Sequence, residues 1–366
     1  NVVVCRSLSK AWGIAGARVG WMIGAPVLVD RLRSTGSPYA LSAPAIAIAC
    51  ELLSEGRAAI APFVAEVLRE RDLLLDLCEE LGLRAQPSEG NFVLVRCESA
   101  ERLWRDLASL GIAVRRFQGR RGLEDALRIT LPGDALEFER LRAALRTSQQ
   151  PRALLFDMDG VLVDVSGSFR VAVLDTAASF GVPLSSAEVS ARKAQGNAND
   201  DWELTRSLLE VKGVRATLAE VTERFEALYQ GTEERPGLRE QERPLVERSF
   251  LERLAKRLPL AVVTGRPRRD ALHFLQREGL EDLFTAVICR EDAALKPSPD
   301  PVRLACERLG VRSAWMIGDT PDDLTAAREA GVLPLAIPAP GEAADPLLTA
   351  GAARVLNSLE DLEGSF

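Results

Sequence analysis

Hydrophobic and polar residues follow two different periods along the first 150 residues. Short alternating or continuous apolar runs predict strands, and apolar residues three or four positions apart predict amphipathic helices. We expect strands at 2–5, near 92–95, at 114–117 and at 127–130, with helices across 44–82 and at 100–110. This mixture of elements predicts an α+β segment.

From residue 151 onward, short apolar runs alternate with helical stretches. The predicted strands lie at 153–156, 260–263, 286–289, 314–317 and 334–337. This alternation is typical of βαβ units, so the expected fold class is α/β with a Rossmann-like parallel sheet. The first two strands are separated by about a hundred residues with helical periodicity, which is too long for a loop. We therefore expect a helical cap inserted at about 168–248.

A polar segment at 146–151 lies between an amphipathic helical pattern and the next apolar run. We interpret it as a linker, which divides the chain into domains at 1–148 and 149–366. The length of 366 residues agrees with two or three domains. Because the chain starts at Asn1 inside a strand-like run and without a methionine, we expect that a preceding segment is missing.

Composition excludes several classes of protein. Apolar residues make up 47% of the chain and charged residues 27%, as in ordinary globular proteins. The longest uncharged stretch, 34–50, is interrupted by two prolines. We therefore expect no membrane span and no secretory leader. Six cysteines without a CxxC or zinc-type spacing favour reduced thiols and a cytoplasmic location.

Charge and rare residues narrow the candidate chemistry further. The chain has 46 basic and 53 acidic residues, a formal net charge of −7, so no nucleic-acid partner is expected. A single histidine excludes multi-histidine metal sites. Lysines are scarce and occur only at positions 10, 193, 212, 256 and 296. Each deserves inspection because lysine, unlike arginine, can supply a reactive amine.

Hydroxyls, a lysine and an arginine lie together after the first predicted strand. Ser7 and Ser9 precede Lys10, and glycines bring the chain back to Arg18 within SLSKAWGIAGARVGW. This motif resembles the lysine signature of fold-type I pyridoxal-phosphate aminotransferases. With GNF at 90–92 and the tail GIAVRRF…LRITLPGD, it most resembles the histidinol-phosphate aminotransferases. The resemblance covers residues 1 to about 146, the C-terminal portion of that family.

The resemblance implies roles for these residues. Lys10 would bind the cofactor and move the proton, while Ser7, Ser9 and Arg18 would hold the cofactor phosphate. Two further arginines, Arg115 and Arg128, would bind substrate anions. The family's other cofactor contacts precede the lysine, so we expect pyridoxal 5'-phosphate to bind only if the missing N-terminal half is supplied. The family is typically dimeric, which implies a homodimer.

Polar side chains also follow the predicted strands of the second half, in the motifs FDMDGV, VVTGRP, LKPSPDP and GDTPDD. Open parallel sheets bind ligands at the carboxyl ends of their strands, so these motifs are expected to meet. Their order resembles the haloacid dehalogenase superfamily over residues 152 to about 362. The motif residues are Asp157, Asp159, Thr264, Gly265, Arg266, Lys296, Asp319 and Asp323.

This second resemblance implies phosphatase chemistry. Asp157 would attack phosphorus, and Asp159 would protonate the leaving oxygen and then activate water. Thr264 and Lys296 would neutralise phosphoryl oxygens, and Gly265 with Arg266 would bind the substrate, a small phosphorylated metabolite. Mg²⁺ would be held by Asp157, the Asp159 carbonyl and Asp319, with Asp323 as support.

Other reactions carried out at similar sites differ in the residues that they require. A sugar phosphomutase uses the same aspartates and remains an alternative. A phosphonate hydrolase would need a Schiff-base lysine in the insert; Lys193 and Lys212 are candidates, although their pattern fits solvated helix lysines better. Dehalogenation is disfavoured because it needs neither Asp159 nor a metal-binding carboxylate cluster. His273 is expected to be a packed or surface helix residue.

A polar stretch at 193–202 stands out within the insert. One hypothesis is that it faces the phosphatase site, where Asn197 and Trp202 would read the leaving group. A solvated loop between helices explains the same residues equally well.

Three functions agree with these patterns. The first is a bifunctional enzyme of histidine biosynthesis, in which the aminotransferase product, histidinol phosphate, is the phosphatase substrate. The second is a phosphatase or mutase with an unrelated substrate. In the third, the first domain is a non-catalytic dimerisation module.

Overall fold

The computed structural model describes residues 2–37, 39–193, 195, 200–233, 235–339 and 343–365. The chain divides into two units, one formed by Asn1–Glu98 with Arg115–Arg142 and the other by Ser99–Val114 with Ala143–Phe366. The predicted domain boundary near residue 148 stays a prediction. Among the described residues, no helix combines the length and apolar character needed to cross a bilayer.

The first unit is α+β, as predicted. A two-stranded antiparallel hairpin and a separate four-stranded antiparallel sheet are joined by helices. The strands of the larger sheet follow the order β3-β4-β6-β5. The elements up to residue 149 are β1 (Val3–Ser7), β2 (Gly20–Gly24), α1 (Pro26–Ser34), α2 (Ala43–Glu55), α3 (Ala61–Glu80), β3 (Arg84–Gln86), β4 (Phe92–Arg96), α4 (Ala100–Ser109), β5 (Arg115–Arg116), β6 (Ala126–Thr130) and α5 (Ala135–Gln149). Of these, α4 and the end of α5 belong to the second unit.

The predicted linker differs from the structure. α5 continues through Gln149, so residues 146–149 are helical and only 150–151 connect the helix to the next strand. Thr147 and Ser148 are buried, and the carbonyl of Thr147 accepts a hydrogen bond of 2.6 Å from the indole of Trp315. The polar sequence was misleading because its hydroxyl residues face other protein groups and not solvent.

The second unit is built on a six-stranded, fully parallel sheet with the order β13-β12-β7-β14-β15-β16. In chain order this is 3-2-1-4-5-6, the doubly wound arrangement, and it confirms the predicted α/β class. The elements outside the cap are β7 (Leu154–Phe156), β8 (Val163–Asp164), α10 (Arg248–Ala255), β12 (Leu260–Val263), α11 (Arg268–Arg277), β13 (Ala286–Ile288), α12 (Asp300–Leu309), β14 (Trp315–Gly318), α13 (Pro321–Glu329), β15 (Leu333–Ala336), α14 (Asp345–Thr349) and β16 (Arg354–Val355).

The sheet is covered on both faces, and side chains alternate between two cores. Leu154 and Phe156 pack in one apolar cluster, while Ala153 and Leu155 pack in the other. All four are fully buried, which explains why the strands are continuous apolar runs in sequence.

The insert forms a helical cap, in agreement with the expectation. Its helices bury an apolar cluster of their own that includes Phe169, Phe225 and Tyr229. Two connections link the cap to the sheet, and they pair with each other through β8 and β11. The elements of the insert are α6 (Phe169–Ser179), α7 (Ser186–Lys193), α8 (Asp201–Val211), α9 (Leu218–Gln230), β9 (Gly231–Thr232), β10 (Arg235–Pro236) and β11 (Arg243–Pro244).

Candidate active site

The centre of the site lies where β7 and β14 are neighbours, the point at which the strand order reverses. Such a switch point leaves a crevice outside the carboxyl ends of the strands. Asp157 follows β7, and its backbone N–H donates a 2.9 Å hydrogen bond to Ile317. Gly160 has a φ of 75°, and a Cβ there would lie 2.0 Å from Asp319 Oδ2. Only glycine therefore lets the loop after β7 approach Asp319 so closely.

Lys296 forms ion pairs with two aspartates of the motifs, Asp157 and Asp323. Its Nζ is 2.5 Å from both Asp157 Oδ1 and Asp323 Oδ1, and it donates a 3.0 Å hydrogen bond to the carbonyl of Val263. Burial by itself would lower the pKa of Lys296, but the two carboxylates outweigh it and raise the pKa. The lysine is therefore a fixed positive charge beside Asp157.

Three acids, two of them buried, remain crowded despite this lysine. Oxygens of Asp157, Asp319 and Asp323 lie within 4.8 Å of one another. Burial, followed by the charge of Asp323, raises the pKa of Asp157 to about 7. Burial, followed by the charges of Asp157 and Asp323, raises the pKa of Asp319 well above its ordinary value.

These acids fit a hard divalent cation. Asp319 Oδ1 is buried and has no hydrogen-bond partner among the described residues, so this oxygen would be available to a cation. Carboxylate oxygens are the ligands that Mg²⁺ prefers. Asp323 is less free, because its Oδ2 accepts bonds from the backbone and hydroxyl of Thr320 at the start of α13. The supporting role of Asp323 stays a prediction.

Thr264 and Gly265 follow β12 on the other side of Asp157. Thr264 is buried, and its hydroxyl accepts a 3.2 Å bond from the backbone N–H of Arg266. Gly265 lines the cleft in front of Asp157 and Asp159. The structure thus brings the motifs after three strands to one edge of the sheet, as the sequence predicted.

Arg266 has contacts that the sequence did not suggest. Its guanidinium binds the carboxylate of Asp159 and also that of Glu242, with bonds of 2.7 Å and 2.9 Å. The Arg266 side chain is only 1% exposed. Glu242 was missed because a single glutamate in a highly charged insert carries no sequence signal. Direct substrate binding by Arg266 stays a prediction.

The cleft has a volume of about 90 Å³ and is lined by both core and cap residues. Lys193, at the end of α7, faces it together with Asp201, and their charged atoms are 3.0 Å apart. Burial opposes the charge on Lys193, but Asp201, Asp159 and Asp319 outweigh it and raise the pKa. A protonated amine is a poor nucleophile, which disfavours the phosphonate hydrolase alternative.

Other predicted residues of the cap lie in different surroundings. Lys212 forms an ion pair of 2.6 Å with Glu188, and both side chains are about two-fifths exposed, at 42% and 40%. Trp202 is stacked under Arg290 at 4.2 Å and lines a small cavity beside Arg266. Asn197 lies outside the described residues. His273, on α11, contacts Glu240 at 3.2 Å, as expected of a helix-surface residue.

The predicted cofactor residues of the first unit lie at the end of β1 and in the turn after it. Ser7 Oγ donates a 2.7 Å bond to Ser9 Oγ, which clusters the two hydroxyls. Lys10 and Arg18 are exposed. Arg18 adopts the left-handed conformation with φ 55°, and its guanidinium donates to the carbonyl of Ala15.

Arg115 and Arg128 are brought directly opposite each other across the β5–β6 pair. Like charges in such a position repel. Arg128 stacks over Phe92 at 5.2 Å, and its Nε is buried without a hydrogen-bond partner among the described residues. Anion binding by Arg115 and Arg128 stays a prediction; it would relieve the repulsion between the two cations and satisfy the free donor.

The doubly wound sheet, the inserted cap and the acidic centre are features of an α/β enzyme domain. Residues 151–331 match the family model of haloacid dehalogenase-like hydrolases, and residues 1–145 match that of aminotransferases of class I and II. The chain therefore joins a segment of an aminotransferase of this class to a haloacid dehalogenase-like hydrolase domain.

Curated relatives resemble parts of the chain. An imidazoleglycerol-phosphate dehydratase of Phytophthora nicotianae is 44% identical over 223 residues, which cover 58% of this chain and 49% of the relative. A histidinol-phosphate aminotransferase of Caldanaerobacter subterraneus subsp. tengcongensis is 39% identical over 132 residues, 36% of this chain and 37% of the relative. The chain thus spans about half the length of the first relative, at 49%, and 37% of the second.

Solved structures that resemble this chain include a hydrolase from Pseudomonas syringae, with 24% identity and a TM-score of 0.48. It is matched over 96% of its length and 58% of this chain. A haloacid dehalogenase-like family protein from Streptococcus pneumoniae has 22% identity and a TM-score of 0.49, over 97% of its length and 58% of this chain.

Proposed function

We propose that residues 151–366 form a magnesium-dependent phosphatase for a small phosphate ester. The observation that carries this proposal is the cluster of Asp157, Asp319 and Asp323 around a buried Lys296 at the sheet's switch point. Mg²⁺ would be held by Asp157, the backbone carbonyl of Asp159 and Asp319, with Asp323 in support. When bound, Mg²⁺ supplies positive charge that offsets the acids and attracts phosphoryl oxygens.

The first half-reaction transfers the phosphoryl group to the protein. A carboxylate oxygen of Asp157 forms a bond to phosphorus while the bond from phosphorus to the leaving oxygen breaks. The electron pair goes to the leaving oxygen, which takes a proton from Asp159. Lys296 and the Thr264 hydroxyl stabilise the negative charge on the transferring oxygens.

The second half-reaction restores the enzyme. Asp159, now a carboxylate, removes a proton from water, and the water oxygen attacks phosphorus. The bond from phosphorus to Asp157 breaks, and inorganic phosphate leaves. A mutase with the same aspartates would instead return the phosphoryl group to a second hydroxyl of the substrate.

Histidinol phosphate is the substrate we propose. Curated relatives of this chain are named for two steps that act on imidazole-containing phosphates, and joining one such segment to a phosphatase favours a shared metabolite. The facing arginines 115 and 128 support an anionic substrate for the first unit as well.

The test is release of phosphate from a panel of esters that includes histidinol phosphate and glucose 1-phosphate, with and without Mg²⁺. We expect turnover of histidinol phosphate that needs Mg²⁺ and is lost in Asp157→Asn. Isomerisation of the sugar phosphate without phosphate release would favour the mutase. If no ester is hydrolysed with Mg²⁺ present, the phosphatase proposal is wrong.

For the first unit we propose the transaminase role only with further protein supplied. Ser7, Ser9 and Arg18 would hold the phosphate of pyridoxal phosphate, and Lys10 would be its amine partner. We expect this chain alone to retain no pyridoxal phosphate after gel filtration. Stoichiometric retention that disappears in Lys10→Ala would contradict this expectation.

Self-association and a cytoplasmic location complete the proposal. Trp21, Met22 and Ile23 on β2 are between 40% and 58% exposed, and such apolar exposure supports a homodimer formed through the first unit. Sedimentation equilibrium would detect it, and a monomer at high concentration would exclude it. All six cysteines are free thiols, which supports a reducing compartment.

A further inference from the structure

A buried charged network connects Asp159 to the cap. Its centre is Arg266, whose side chain is 1% exposed and whose partner Glu242 is 2% exposed. Tyr229 and Ser168, both buried, donate hydrogen bonds of 3.1 Å and 2.9 Å to Glu242 Oε1. Buried charges persist only when paired and hydrogen-bonded in this way.

Arg266 contacts only one of the two carboxylate oxygens of Asp159. Nε and Nη2 lie 2.7 Å and 2.6 Å from the same oxygen, Asp159 Oδ1. Among the described residues, no group is hydrogen-bonded to Asp159 Oδ2. One carboxylate oxygen is therefore fixed, while the other remains available on a side chain that lines the cleft.

The opposite edge of Arg266 is held by cap elements and by a connection to the cap. Nη1 and Nη2 form a bidentate pair with Glu242, at 2.9 Å and 3.0 Å, and Glu242 immediately precedes β11. The guanidinium also stacks over Phe169 of α6 at 4.8 Å. Arg266 is thus held by one connection between cap and core and by the first residue of α6.

We propose that Arg266 is a positioning residue for the phosphatase reaction, which fixes Asp159 through Oδ1 so that Oδ2 presents its proton to the leaving oxygen. This inference rests on the proposed phosphatase function. Arginine keeps its proton at working pH, so it orients the acid without exchanging protons itself. Glu242 and the cap residues around it hold Arg266 in the orientation that Asp159 needs.

The consequence depends on the leaving group. A poor leaving group such as phenolate requires a proton as the bond to phosphorus breaks, whereas p-nitrophenolate leaves readily without one. A misaligned Asp159 therefore slows phenyl phosphate much more than p-nitrophenyl phosphate. Comparison of kcat with KM for the two esters distinguishes proton delivery from binding.

The experiment compares kcat and KM for these two esters in the full chain with Mg²⁺. In Arg266→Lys, which keeps the charge but not the fork, we expect kcat/KM for phenyl phosphate to fall about ten-fold more than for p-nitrophenyl phosphate. Glu242→Gln, a milder change, should also lower the ratio of kcat/KM for phenyl phosphate to kcat/KM for p-nitrophenyl phosphate. In an Asp159→Asn background, Arg266→Lys should leave the ratio unchanged.

Arg354→Lys is the matched control, because Arg354 is likewise stacked on an aromatic ring, Trp315 at 4.6 Å, and paired with a buried acid, Asp106. In Arg354→Lys, the ratio of the kcat/KM values for the two esters should equal that of the unmodified chain. Equal losses on both esters, or an equal rise in KM, would overturn the positioning role. If Arg266→Lys does not fold, Glu242→Gln decides by the same ratio. If the unmodified chain hydrolyses neither ester, the phosphatase proposal fails, and the inference fails with it.

Discussion

Burial and neighbouring acids favour the protonated form of Asp157, whereas the Mg²⁺ proposed for the site would favour the ionised form. Without a cation, burial and Asp323 raise its pKa to about 7, against 3.8 for an ordinary aspartate. Protonation therefore stabilises the folded protein below pH 3.8, and this contribution is lost as the pH rises through about 7. We expect the Tm without Mg²⁺ to fall between pH 5.5 and pH 8.

Mg²⁺ should reverse this trend, because it binds the ionised carboxylates. The increase in Tm on adding Mg²⁺ should be larger at pH 8 than at pH 5.5, as measured by calorimetry. Asp319→Asn removes one ligand and should abolish most of the increase at both pH values. An equal increase at the two pH values would contradict binding at this cluster.

Lys193 offers a second prediction at the scale of single residues. It faces the cleft and pairs with Asp201, so Lys193→Met should raise KM for the substrate several-fold with a smaller effect on kcat. Lys212→Met is the matched control, since Lys212 is also a cap lysine in an ion pair but is exposed. Equal effects of the two substitutions on KM would show that Lys193 has no specific role.

Residues with distinctive chemistry could be predicted from the sequence, and residues with common chemistry could not. Asp157, Thr264 and Lys296 were recognised because each follows an apolar run, in motifs whose order resembles a known family. Glu242 and Tyr229 lie in the insert, far from those motifs in sequence. Only the folded cap brings them to Arg266.

At the scale of elements, α13 begins inside the site, so its capping box would link stability to the metal binding that we propose. Thr320 accepts the backbone N–H of Asp323, and Asp323 accepts that of Thr320, a reciprocal capping box. Thr320→Ala should cost about 1 kcal/mol of unfolding free energy. It should also weaken Mg²⁺ binding, because Asp323 loses the hydroxyl that orients it.

Thr320→Ser keeps the hydroxyl and should restore both properties. Denaturant unfolding and Mg²⁺ titration by calorimetry measure them separately. If Thr320→Ala lowered stability but left Mg²⁺ affinity unchanged, Asp323 would not contribute to the metal site.

Burial of the parallel strands on both faces explains why the second half was easier to predict than the end of α5. Parallel strands buried on both faces are continuous apolar runs, and β7, β12 and β14 show this pattern. The end of α5 has a polar sequence because Thr147 and Ser148 bond to groups of the second unit. Periodicity does not reveal such partners.

At the scale of the whole molecule, the second unit includes residues from well before residue 151. α4 and the end of α5 contribute Asp106 and Ser148, which hydrogen-bond to each other at 2.7 Å. Asp106 also binds Arg354 of β16 through two nitrogens. The family model for the hydrolase starts at residue 151, so it leaves these contacts out.

A chain that starts at Pro151 should therefore be folded less stably than the second unit of the full chain. The substitution Arg354→Leu tests whether loss of the ion pair between Asp106 and Arg354 causes this difference in stability. In the full chain it leaves Asp106 buried without its cation and should cost about 3 kcal/mol. In the shorter chain Asp106 is absent, so the same substitution should change stability by less than about 0.5 kcal/mol. Urea unfolding followed by tryptophan fluorescence measures all four proteins. Equal costs in the two chains would mean that α4 does not stabilise the sheet through this pair.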